Sequence, residues 1–144
     1  MPQNGEAESR TGLEAVFPGE TVTLSTGQAV VIRPWSAGRM RFEILPKIGG
    51  LLSALRGGGI TPEAIMLKLP VLLTQFGGTI TDIVLADAGL AEADLYQMTA
   101  ADFAKLTRTV LEQNRDFFGE LDQIRAFIAA ELAAKSTGST SPAS

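Results

Sequence analysis

The sequence contains no cysteine and no histidine. The first absence excludes disulfides and thiolate metal sites and is compatible with a reducing compartment. The second removes the commonest general base and metal ligand, leaving carboxylates, lysines, hydroxyls and a single tyrosine for any chemistry. No Ser/His/Asp or Cys/His arrangement can exist, so a non-enzymatic protein without cofactor or metal is expected. A long apolar run is lacking too. Residues 60–90 form the most apolar stretch, but Lys68, Pro70, Gln75 and Gly77-Gly78 interrupt it before the ~20 apolar residues of a membrane span. Buried helices are the expectation there. The start, MPQNGEAESRTGLEA, is polar and acidic where a secretory signal needs a basic start and an apolar run. A cytoplasmic protein is expected.

What is present suits one globular core. Hydrophobic residues make up 45% of the 144 and charged residues 19%, a balance that folds rather than stays disordered. The fold class read from the pattern is α+β, predominantly α-helical, with a short N-terminal β-hairpin followed by a bundle of four to five helices. The expected organisation is a flexible segment over 1–19, a single domain over 20–135 with hairpin 20–34 and helices 36–134, and a disordered tail over 136–144. The hairpin rests on two β-branched runs flanking Ser25-Thr26-Gly27-Gln28, with Gly27 able to take a positive φ.

After Trp35, Ser36 can cap a helix whose apolar positions Met40, Ile44, Ile48, Leu51 and Leu55 recur every three or four residues. Pro46, close to Gly49 and Gly50, predicts a kink or split in it. Thr61-Pro62-Glu63 is a helix start with cap, proline at the first position and an acid in the first turn. It opens one helix, EAIMLKLPVLLTQF, apolar nearly all round, and a shorter one follows from Thr79 to Ala88 and stops at Gly89. Thr99-Ala100-Ala101-Asp102 is a capping box with Asp in place of Glu or Gln. The helix it opens carries a main apolar seam of Phe103, Leu106, Val110, Phe117, Leu121, Ile124 and Ile128, interrupted at Asn114, and a second seam through Leu111 and Phe118. Adjacent Phe117 and Phe118 therefore require cover on two sides. Asn114, buried in a seam, needs a hydrogen-bond partner and marks either a register contact or a bend.

The chemical motifs are weak. Arg56-Gly57-Gly58-Gly59 lacks the Gly-Lys-Ser/Thr of a phosphate loop and reads as a connector. Arg39 and Arg41 beside Trp35 could contact phosphates and bases, but the net charge of -4 opposes nucleic-acid binding. The pairs Asp82/Asp87 and Glu92/Asp94 lie where helix ends collect acids and show no calcium-loop pattern. Bases dominate 33–76 and acids dominate 77–102, so the two segments face each other, are both solvated surface, or make a complementary contact with another subunit or a partner. Surplus apolar residues remain. Met66, Phe76, Met98, Leu111, Phe118 and Phe127 exceed what one seam per helix requires and either fill the core or meet a partner; Met66, Phe76, Leu111, Phe118 and Phe127 form the expected partner-binding surface.

The order of a short hairpin, ETVTLSTGQAVVIRP, a helix after W-S-A-G-R, an apolar helical middle and a last helix with N-R-D-F-F resembles the tail assembly chaperones of tailed bacteriophages, notably Mu-like phages. The resemblance spans residues 20–128. It implies a host-cytoplasmic protein, absent from the mature virion, that binds and solubilises the helical tape-measure protein until tail tube subunits displace it. It further implies contact with the tail tube protein and self-association, with neither nucleic acid nor membrane as partner. A structural tail-completion or baseplate component is the alternative. On this reading Phe118→Asp abolishes solubilisation of the tape measure while leaving the helices intact.

Overall fold

A computed structural model describes residues 18–55 and 59–140. The expected connector at 56–58, nearly all of the N-terminal segment and residues 141–144 lie outside the described residues. Strands β1 (Glu20–Thr23) and β2 (Ala29–Ile32) pair antiparallel with Val22 opposite Val30 and Glu20 opposite Ile32. Alternation puts Val22, Val30 and Ile32 inside, joined by Leu24 from the turn. Gly27 adopts φ 91°, as the turn requires of it. A helical fold follows the hairpin, so the α+β, mainly helical architecture holds.

The chain then enters a continuous helical stretch made of α1 (Ala37–Arg39), a π turn (Met40–Ile44) and α2 (Leu45–Ala54). Ser36 caps it by accepting from the Arg39 N–H at 3.1 Å. Of the kink or split expected at Pro46, the split does not occur. Proline has no N–H to give to residue 42 and its ring crowds that carbonyl; the wider π turn just before it, closed by Leu45 N–H to the Met40 carbonyl, accommodates both problems. Gly49-Gly50 stays helical, and Gly50 leaves room for the Phe76 ring: a Cβ there would stand 3.2 Å from it.

A break comes one helix later than expected. Helix α3 (Pro62–Leu67), capped by Thr61, stops at Lys68 (φ -95°, ψ 3°), and α4 (Leu69–Ala88) begins at once. Pro70 explains it, because its ring would meet the Met66 carbonyl of an unbroken helix. Within α4 two helical segments meet in a kink at Phe76 (φ -128°, ψ 27°), where one helix was expected to end before the next began at Thr79. By length and composition α4 could cross a membrane. Here Leu69, Leu72, Ile80, Ile83, Val84, Leu85 and Ala88 are buried in the core. Gly89 in the left-handed region (φ 68°) ends the helix, with Leu90 N–H bonded to the Leu85 carbonyl at 2.9 Å.

A short α5 (Glu92–Leu95) leads to α6 (Ala100–Gln113) and α7 (Arg115–Thr140). The Thr99/Asp102 capping box forms as expected: Thr99 Oγ1 accepts from Asp102 N–H at 3.0 Å and Asp102 Oδ2 from Thr99 N–H at 3.2 Å. Asp102 also accepts from the Ser25 backbone and hydroxyl, tying the hairpin turn to the start of α6. Burial alone would raise this carboxyl, but the bonds from Thr99 and Ser25 outweigh it and hold it below its ordinary value. The last helix continues past the expected end at Ala134 to Thr140.

Candidate functional site

Asn114 joins α6 to α7 at a bend, and its partner from outside the helix is the Trp35 backbone between hairpin and helices rather than a neighbouring helix. It leaves helical geometry (φ -115°, ψ 23°), and its buried side chain finds two partners. Its Nδ2 donates to the Val110 carbonyl at 2.8 Å, one of the orphan acceptors of a helix C-terminus. Its Oδ1 accepts from the Trp35 backbone N–H at 2.8 Å. The bend is thereby fastened to the segment between hairpin and helices.

Trp35 and Arg39 complete the joint. The Trp35 ring stands edge-on to Phe117 and Phe118, each with centroids 5.8 Å away, a favoured aromatic geometry. Its indole N–H donates to Asp87 Oδ2 at 2.8 Å, and Arg39 forms an ion pair with Asp87 Oδ1. The basic and acidic segments therefore do meet within the chain at this pair. The Asp87 side chain is only 1% exposed. Burial raises its carboxyl above the ordinary value, against the opposing influence of Trp35 and Arg39. On the other side of the bend, Arg115 binds Glu63 at the start of α3 and Glu112 one turn back. The hydrogen bonds from Arg115 hold the Glu63 carboxyl below its ordinary value.

The five residues expected to form a partner surface separate. Leu111 is 7% exposed and Phe118 3% exposed, so both are core and cannot present a surface from this fold. Met66 and Phe76 are half-buried against the same core, Phe76 over Gly50. Phe127 alone of the five is exposed, at 66%. The correction has a physical cause: Phe118 faces Trp35 because the bend at Asn114 turns it inward.

An exposed apolar stripe lies further along α7. Phe117 and Leu121 rest half-buried on the core, and the same face continues outward as Ile124, Ile128 and Leu132, exposed by 53%, 50% and 61%, with Phe127 on its edge. Spacings of three and four keep these side chains on one side of a helix. Leu132 is the residue the seam reading missed. Its spacing of four from Ile128 continued the pattern, but nothing in the sequence tells where the cover from the chain's own core runs out. Leu67 and Val71 are also exposed, flanking the α3/α4 break.

Other cavities are modest. One of about 60 Å³ lies inside the core between Trp35, Ile48, Ile80 and Val110. A second, about 240 Å³, opens beside Trp35, Ser36, Met40 and Asn114. Both fall below the roughly 300–1,000 Å³ of small-molecule pockets. Among the described residues no group of three or more carboxylates could hold a metal ion. No protein-family model, curated protein or solved structure matches the chain.

Proposed function

We propose that this protein is a bacteriophage tail assembly chaperone that binds and solubilises the tape-measure protein in the host cytoplasm before the tail tube polymerises around it. The observation that supports the reading is the apolar stripe Ile124, Phe127, Ile128 and Leu132, four large side chains at least half exposed on the outer part of α7. A helix with one apolar face docks naturally beside another apolar helix. An unassembled tape measure presents such faces repeatedly along its length. Individually weak contacts then bind collectively by avidity and can be stripped one after another as tube subunits arrive. The surface differs from the one expected from sequence, since it keeps Phe127 and replaces the buried Leu111 and Phe118.

Co-expression with the tape-measure protein of the same phage is the test. Solubility of that protein only in the presence of this chain, lost with Ile128→Asp, is the expected result. Recovery of this chain from purified particles at fixed stoichiometry would instead favour a structural tail component.

A further inference from the structure

We infer that the α7 stripe takes a partner helix whose own apolar face is bordered by lysine or arginine. This rests on the reading of the stripe as the client surface and adds the chemistry of the client. The apolar face of α7 is not bordered evenly. Asp116, Glu120 and Glu131 fall, by helical position, along the edge that also carries Phe127. All three are exposed, and among the described residues no cation stands against any of them. The acidic border runs ~22 Å, about four helical turns, parallel to the apolar residues.

That layout discriminates between occupants. A helix packed on the stripe has its axis about 8–10 Å away, which places long basic side chains on its near edge within reach of Glu120 and Glu131, as flanking charges do across coiled coils. A glutamate-bordered helix would bring like charges together, which is unfavourable. An anionic membrane surface would be repelled by the same border. A second copy of α7 packed with the same edges facing would oppose acid to acid.

The experiment uses the full-length protein and two synthetic helical peptides of about 25 residues with one identical apolar face, bordered by lysine in one and by glutamate in the other. Binding is followed by fluorescence anisotropy at low and high salt. The lysine-bordered peptide is expected to bind about five- to tenfold more tightly at low salt, from a few exposed charge pairs. The difference should close near 1 M salt. The double variant Glu120→Lys with Glu131→Lys should invert the preference, with the Trp35 emission unchanged as proof of folding.

Equal affinity for both peptides overturns the charge inference and leaves the apolar-helix reading standing. Binding of neither, with no loss on Ile128→Asp of whatever the chain does bind, overturns both. Preference for anionic vesicles over either peptide, or a dimer in sedimentation that excludes both peptides, likewise overturns the inference.

Discussion

Replacing Asn114 with leucine probes the joint on which the placement of α7 depends. The two side chains are close in size, so the perturbation is chiefly polar. Leucine leaves the Trp35 N–H and the Val110 carbonyl without their 2.8 Å partners. Each stranded buried group costs about 1–3 kcal/mol, and the added apolar contact returns about 1–2 kcal/mol. From the middle of these ranges the net loss should be about 2–3 kcal/mol, a large share of the roughly 5–15 kcal/mol of a domain. The sole tryptophan is itself at the joint, so urea unfolding followed by its emission reports the relevant region. With a slope of about 1–3 kcal/mol per molar urea, the midpoint should drop by about 1 M. A drop smaller than about 0.3 M with unchanged slope would show that water or rearranged backbone satisfies both groups, and the joint would not be what holds the bend.

Three further outcomes follow from the same geometry. Phe118→Asp should unfold the protein rather than merely blunt its binding, since losing a buried phenylalanine costs about 3–5 kcal/mol before any charge is buried; Ile128→Asp should leave the thermal midpoint within a few degrees, and equal effects of the two by circular dichroism would sink the core/surface division. Gly50→Val should lower the melting temperature through collision with the Phe76 ring 3.2 Å from a Cβ, and Phe76→Ala should relieve part of that loss in the double variant. Asp87, whose carboxyl is raised in the folded state by burial, keeps its proton to a higher pH there than in the unfolded chain. Its contribution therefore falls as pH rises from the ordinary carboxyl range through the raised value and is constant above. Asp102, lowered, contributes above the ordinary carboxyl range and loses that contribution as pH falls through its folded value. Asp102→Asn should flatten the acid limb of stability against pH, and Asp87→Asn should remove the opposing slope; unchanged profiles would count against both assignments.

Local chemistry made much of the fold legible. Thr99 and Asp102, Ser36, Thr61 and Gly89 act where capping and termination rules place them, because those effects depend on neighbours within one helical turn. Asn114 was legible as an anomaly, a polar residue where a seam wanted an apolar one. Its partner was not, since the Trp35 N–H arrives from 79 residues away. The two prolines show the limit of local rules. Pro46 is absorbed by a π turn and Pro70 breaks its helix, though both carry the same defect. The partner surface failed for a related reason. Surplus hydrophobicity counts side chains that need cover, but Leu111 and Phe118 find that cover at Trp35 and neighbouring helices while Ile124 and Leu132 do not.

The two halves of α7 divide the work of holding and presenting. Its first turns are fixed from three directions: Asn114 to the Trp35 backbone, Arg115 to Glu63, and Phe117 with Phe118 to the Trp35 ring. Its outer turns carry large apolar side chains that the rest of the described chain leaves exposed. Nucleating an isolated helix in water is unfavourable, whereas adding residues to a formed turn is not. Anchoring one end supplies the nucleus, so the remaining residues need only propagate. A partner then meets a helix already formed and is spared part of the ordering cost that a disordered segment would impose on binding. The anchoring residues should therefore affect binding without touching the partner. Weakening the Arg115–Glu63 pair with Glu63→Gln, far from the stripe, should loosen α7 and reduce affinity for an apolar helix by a small factor, whereas a stripe that folds only on contact would show no such dependence.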